Sequence, residues 1–200
     1  MIIRSSETEP SVIYRLLIGA VVPRPIAFVS TISPEGVLNL APFSFFTVAS
    51  ANPPVVCFAP NFRVPMKDTL RNVRETQEFV VNIVSEEIAE QMNLCSGEYP
   101  PETDEFLVSA LTPLPSDLVK PPRVKESHVN MECRLREVIE VSLQPLGGYL
   151  VLGEVVCFHV DDAVMSGSLI DPDKLRAIGR MGGNDYTRTR DRFEMIRPKV

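Results

Sequence analysis

The 200-residue chain has two histidines, His128 and His159. Neither sits in a Ser/Cys/His arrangement, and H-E-x-x-H is absent. Both fall in strand-like segments, where structural roles suffice. G-x-G-x-x-G and G-x-x-x-x-G-K-[ST] are also missing, so neither a Rossmann fingerprint nor a P-loop is supported. No side chain is therefore assigned a covalent or acid–base step. If the chain is an enzyme, a bound cofactor carries the hard chemistry. The four cysteines, at 57, 95, 133 and 157, include no C-x-x-C pair. None lies near a histidine at a familiar ligand spacing, so no metal is expected. They read as reduced thiols of a cytoplasmic protein, with Cys57, Cys133 and Cys157 inside apolar runs as small hydrophobes.

What remains is placed charge and placed polarity. Between Asn61 and Arg74 stand Arg63, Lys67, Arg71 and Arg74 against Asp68 alone, in a chain of net charge −6. Met66, Leu70 and Val73 recur at helical spacing, which predicts a helix over 66–78. Arg63 and Lys67 precede or open it, and Thr69 follows. Cations, a hydroxyl and the N–H groups of a helix N-terminus suit a phosphate. The same spacing also fits a helix with a basic solvent face. Upstream, Ser30 and Thr31 end one strand, and Asn39, Leu40, Ala41 and Ser44 lie along the next. Pro42 removes a ladder donor there and bends the strand, leaving N–H groups for another partner. Such groups beside Phe43, Phe45 and Phe46 suit a flat heteroaromatic ligand, although the phenylalanines also read as core.

The elements that must hold these groups are mostly strands. Eighteen prolines cut the chain into short apolar runs. Strands are predicted at 26–32, 37–48 with a bend at Pro42, 55–59, 79–84, 129–141 and 149–160, with a turn at 34–36. Ser85 with Glu86 and Glu87 reads as a helix start, as does Asp171-Pro172, whose helix is expected to stop at Gly179. Residues 97–126 read as a long Pro-rich loop, and 188–197 as a solvated tail. Several strands are apolar on both faces, so one side should pack a barrel and the other something else, a homodimer interface being the simplest candidate.

Composition bounds the function. Hydrophobic residues make up 44 % and charged residues 23 %, a globular ratio. The acidic balance argues against nucleic acid and against an anionic membrane surface. No stretch reaches the ~20 apolar residues of a membrane span, and the N-terminus shows no signal-peptide pattern. The chain reads as one domain over 1–200.

Several segments carry a resemblance in order and at similar spacing: PRPIAFVST (23–31), NLAPFSFF (39–46), PP (53–54), R-x-x-x-KDTLRN (63–72) and IGRMGGNDYTR (178–188). From about Tyr14 to Tyr186 the chain resembles the flavin reductase-like FMN-binding split barrels of the flavoredoxin type. The resemblance implies a mostly-β fold, a six-stranded antiparallel Greek-key barrel with short helices, in a homodimer that binds FMN near the interface. It implies that Arg24, Ser30 and Thr31 line the FMN side chain, and that Asn39, Leu40, Ala41 and Ser44 hold the ring edge and ribityl chain. It places Arg63, Lys67, Asp68 and Thr69 at the phosphate, and Arg180, Met181, Gly182, Gly183 and Tyr186 on the flavin or nicotinamide side. Asn61 stands where many relatives carry Ser. The implied activity is hydride transfer from NAD(P)H through FMN to a flavin or other small-molecule or protein acceptor. The alternatives are an electron-transfer flavoprotein without a nicotinamide step, or a non-catalytic FMN-binding protein.

Overall fold

A seven-stranded antiparallel sheet, in the order β2-β1-β5-β8-β9-β4-β3, dominates the computed structural model, which describes residues 1–198. Before it comes α1 (Pro10–Ala20), a helix with Pro at its first position that the sequence reading missed. The strands β1 (Ala27–Ile32) and β2 (Leu38–Phe43) form the expected hairpin, with Gly36 at φ +90° in its turn. The expected single strand 37–48 is broken after Phe43. It resumes as β3 (Phe46–Ala51), which pairs with β4 (Pro54–Phe58). That break turns six expected strands into seven.

It also dictates the shape. β2 and β3 are the two edges of the sheet, yet only Ser44 and Phe45 join them. Laid flat, seven strands would put those edges ~28 Å apart at ~4.7 Å per gap. Two linking residues reach only about 10 Å. The sheet must therefore curl on itself. Among the described residues no ladder joins β2 to β3, so the barrel stays open along that line. Pro42 fits here without loss. The Leu40 N–H points away from β1, to the Glu105 carboxylate at 3.1 Å, so by alternation position 42 also points outward and owes the ladder no donor. The expected loss of a ladder bond does not occur.

The helix α2 (Asp68–Thr76) follows β4 and ends at Gln77, in the left-handed conformation, before β5 (Glu78–Ile83). A 3₁₀ turn (Glu86–Ile88) leads into α3 (Ala89–Leu94), and Ser85 makes no cap bond there. Then come α4 (Glu105–Ser109) and a short ribbon of β6 (Pro113–Leu114) with β7 (Arg123–Val124). The long hairpin β8 (Val129–Ser142) and β9 (Gly148–Val160) completes the barrel. A small ribbon of β10 (Met165–Ser166) and β11 (Leu169–Ile170) precedes α5 (Pro172–Leu175), whose Asp171 accepts from the Asp173 N–H as expected. The helix stops at Arg176 in the left-handed conformation. Gly179 lies instead in β12 (Ile178–Arg180), which pairs with β13 (Tyr186–Arg188). Among the described residues no helix is long and apolar enough to cross a membrane.

There are two cores. Inside the barrel, Phe43, Phe58 and Phe79 stack at 4.9 and 5.5 Å, with Val29, Val81 and Val151 around them. Outside it, Phe28 and Leu40 pack under Ile88, Met92, Phe106, Leu111 and Val124. The second apolar face of β1 and β2 is thus covered by the chain's own 84–124 segment, not by a partner protomer. The expected loop 97–126 is core-forming.

Candidate functional site

A polar knot ties the first hairpin to the start of α2. Asn39 Nδ2 donates to Thr31 Oγ1 and Thr69 Oγ1, both at 3.0 Å, and Asn72 Nδ2 donates to Thr31 Oγ1 at 3.1 Å. All four residues are buried. The knot aims the N-terminus of α2 at a small cavity of about 80 Å3, lined by Asn39, Arg63, Lys67, Asp68, Thr69 and Glu105 among others. Two of the four cations in this window are engaged elsewhere. Arg71 pairs with Asp68 at 2.7 Å, and Arg74 lies over the Tyr149 ring at 4.8 Å. Arg63 and Lys67 face the cavity. Arg63 reaches the exposed Glu98 at 3.0 Å, but its buried Nε has no partner. Lys67 makes no ion pair among the described residues. Burial, and then the charge of Arg63, push its ammonium below the usual lysine range, against the pull of Glu98 and Asp68. Two cations of the basic window are thus engaged on the surface of the fold and two line the cavity.

This cavity continues at both sides of Pro42. One neighbour, about 520 Å3, is lined by Pro42, Ser44, Asn93, Ser96, Arg180 and Tyr186 with others. Another, about 140 Å3, is lined by Tyr14, Pro42, Ser44, Phe45, Asn61 and Lys67 among others. Together they make one groove along the outer edge of β2, of a size that suits a cofactor. At its far end the Arg180 guanidinium lies 4.4 Å over the Tyr186 ring and donates to Gly183 O, where Gly183 takes φ +59°. Segments from Tyr14 to Tyr186 thus converge. Residues 19–179 match the family described as "Flavin reductase like domain".

The chain belongs to the flavin reductase-like family. An uncharacterized protein of Aquifex aeolicus is 44 % identical over 185 residues, covering 91 % of this chain and 92 % of its own length. Nitrilotriacetate monooxygenase component B from Bacillus cereus superposes with a TM-score of 0.93 at 35 % identity, covering 98 % of both chains. The 2-nitrobenzoate 2-nitroreductase NbaA of Pseudomonas fluorescens gives 0.89 at 32 % identity, covering 99 % of this chain and 96 % of its own. A flavoredoxin of Desulfovibrio vulgaris, at 19 % identity and TM-score 0.76 over 88 % and 91 % of the two chains, shares the fold.

Not every residue expected at the flavin reductase-like site lies in the groove. Ser30 is fully buried, donating to Pro122 O and accepting from Asn82 Nδ2 at 3.2 Å. Thr31 is turned into the knot. Leu40 is core, and its N–H is taken by Glu105. Arg24 is a clamp. Its Nη1 donates to Ile18 O and Val21 O at 2.6 Å, and its Nη2 to Met181 O at 2.7 Å. Its backbone exchanges two hydrogen bonds with Arg180. Arg24 therefore fastens the end of α1 and the 178–188 hairpin together. Met181 and Gly182 form the turn of that hairpin beside α1, where a Cβ on Gly182 would lie 3.8 Å from Gly19.

The sequence reading missed Glu105, Asn93, Ser96 and Asn184. Glu105 comes from the unassigned 97–126 segment, and its carboxyl is pushed up to about 7, chiefly by burial. The reading also missed that Cys157 and His159, two apart on β9, share a face, with Sγ 3.6 Å from Nε2.

Proposed function

We propose that the chain binds FMN in the groove around Pro42 and works as an NAD(P)H-dependent FMN oxidoreductase. The observation that carries this reading is the pair of under-neutralised cations, Arg63 and Lys67, set beside the N-terminus of α2 at one end of a cofactor-sized groove. An orphaned guanidinium Nε and a half-buried ammonium without an ion pair fit a dianionic phosphate.

In this reading Arg63, Lys67, Thr69 and the first N–H groups of α2 hold the phosphate. Asp68, which lines the same cavity, is offset by its ion pair with Arg71. Asn39, Ala41 and Ser44 border the ribityl chain and ring edge. Arg180 and Tyr186 close the far end, where a nicotinamide or acceptor would enter. Arg24, Thr31, Ser30 and Leu40 act at one remove, by positioning the hairpins that carry these groups. FMN, when bound, supplies the redox chemistry, accepting a hydride from reduced nicotinamide and passing electrons to a flavin or another acceptor. The protein's own task is to hold two ring planes in contact, which needs no acid–base residue. The names of the relatives, a monooxygenase component and a nitroreductase, support a redox role.

The same reading places the protein in the cytoplasm as a homodimer. The uncovered strands β3 and the outer half of β8, where Val48 and Val141 are 67 and 69 % exposed, offer an apolar face for a second copy.

The test is the visible spectrum of purified protein, followed by anaerobic NADH or NADPH. A bound-flavin spectrum that bleaches supports the reading. Flavin that stays oxidised with both nicotinamides favours an electron carrier reduced by a protein partner. A colourless protein that takes up no added FMN overturns the reading altogether.

A further inference from the structure

Strand alternation builds a cluster on β8 and β9 that the flavin reading does not use. Cys157 and His159 point to one face of β9, and Glu132 lies directly across the ladder from Cys157. Residues 115–120 are laid over this face, and the Asp117 and Leu118 N–H groups donate to the two Glu132 carboxylate oxygens at 2.7 Å each. Glu132 is fully buried. His159 Nε2 lies 2.6 Å from Glu132 Oε1 and 3.6 Å from Cys157 Sγ. One ligand atom each from Asp117, Cys157 and His159 lies within 4.8 Å of the other two. None of these residues lines the groove around Pro42.

We infer that Asp117, Cys157 and His159 form a three-ligand binding site for a divalent metal of the zinc class, with Glu132 beside it as a hydrogen-bond partner of His159. The spacing supports this. Bond lengths of ~2.3 Å to sulfur and ~2.0 Å to nitrogen, at a tetrahedral angle, set the two ligand atoms ~3.5 Å apart. The sulfur–nitrogen separation here is 3.6 Å. A carboxylate oxygen and an imidazole nitrogen on the same ion would stand ~3.3 Å apart. The 2.6 Å contact between Glu132 and His159 is shorter than that and is a hydrogen bond, so it must give way for His159 Nε2 to meet the ion, with the thiol proton leaving on binding. Two carboxylates and a thiol face one nearby guanidinium, that of Arg123, so the charge balance favours a cation. Mixed sulfur, nitrogen and oxygen ligands select zinc over magnesium or calcium. Three protein ligands leave the fourth position of the site to water. Its effect is to staple the 115–120 segment to the barrel, next to the ribbon that covers the second core.

The test uses the full chain with its flavin, stripped of metal by a chelator and titrated with Co2+ in difference absorption. One equivalent per chain is expected, with a near-ultraviolet thiolate charge-transfer band that added Zn2+ removes. Cys157→Ser is expected to abolish the band and to weaken Zn2+ binding by ~100-fold or more, since even outer partners of a metal ligand contribute 10- to 100-fold. Flavin content should not change. Asp117→Ala, at an exposed side chain, guards against misfolding of the cysteine variant and is expected to lose at least ~10-fold. No uptake of Co2+, a band that survives Cys157→Ser, or unchanged Zn2+ affinity in Asp117→Ala would each overturn the proposal. Because the site shares no residue with the groove, these results are independent of whether FMN binds.

Discussion

Replacing Lys67 by alanine tests the anion site most directly. Lys67 is the N-cap residue of α2, half-buried, with no carboxylate in ion-pair distance among the described residues. A charge-assisted hydrogen bond in such a place is worth about 1.5–3 kcal/mol, or about 10- to 100-fold in dissociation constant. Arg63→Ala should fall in the lower part of that range, because Arg63 already shares its charge with Glu98 at 3.0 Å. Its removal also relieves the repulsion that depresses Lys67. The assay is quenching of flavin fluorescence on titration with protein, run with FMN and with riboflavin, which lacks the phosphate. Lys67→Ala should weaken FMN by 10- to 100-fold and leave riboflavin within about twofold. An equal loss for both flavins would show that Lys67 supports the groove without meeting a phosphate. No loss for FMN in either variant would refute the assignment of this end of the groove.

Three further expectations concern affinity, packing and pH. Ser44→Ala removes at most a neutral hydrogen bond and should cost FMN about 1 kcal/mol or less in the same titration, less than either cation; the reverse order would make the ring edge dominant. Gly153→Ala puts a Cβ onto the tip of the fully buried Phe79 ring and 3.2 Å from Cys133 Cβ, so it should destabilise the fold by about 1–3 kcal/mol in thermal melts, and an unchanged Tm would show that Phe79 can swing aside. Glu105 holds its proton up to about 7, above the usual carboxyl value, so its contribution to stability is full below about 4.5 and declines as pH rises through about 7. Glu105→Gln, which keeps an acceptor for the Leu40 N–H, should therefore gain on the order of 1–3 kcal/mol over the parent between pH 5 and 8 in denaturant titrations, and parallel pH profiles for the two proteins would place the ionised carboxylate comfortably in the fold.

Local signals carried the fold a long way. The hairpin β1–β2, the amphipathic α2 and the Asp171-Pro172 start all follow from neighbours within a few residues, and all are present; β8 is present too, but its first five residues are all buried and Ile139 and Val141 are exposed, so the expected half-buried alternation is not. The failures share a physical cause, that side chains are placed by partners distant in sequence. Ser30 reads as a strand-end hydroxyl available to a ligand, yet the carbonyl of Pro122, 92 residues away, accepts its hydrogen bond. The resemblance places Arg24 along the FMN side chain, yet three carbonyls, of Ile18, Val21 and Met181, hold its guanidinium. The doubly apolar strands were correctly read as needing cover on both faces, but composition alone does not distinguish a second protomer from 40 residues of the same chain. That cover was hidden because its prolines and short turns mask the spacing of Phe106, Leu111 and Val124.

The 84–124 segment also explains why the groove was only half legible. Its cations announce themselves by local charge excess, whereas Arg180 and Tyr186 are pointed to only by the resemblance. Its other wall consists of Asn93, Ser96 and Glu105, polar residues in a stretch without periodicity. Only after Phe106 is buried against Leu40 does the adjacent carboxylate of Glu105 reach the outward N–H of β2. The same edge that the open barrel leaves unpaired is thus satisfied at Leu40 by Glu105, needs no donor at Pro42, and lies beside the cavities from there to Ser44. A barrel fully closed between β2 and β3 would occupy that edge with a ladder and leave no groove. The two-residue link at Ser44-Phe45 therefore does two things at once: it forces the sheet to curl, and it keeps the line of the split beside the cations of α2.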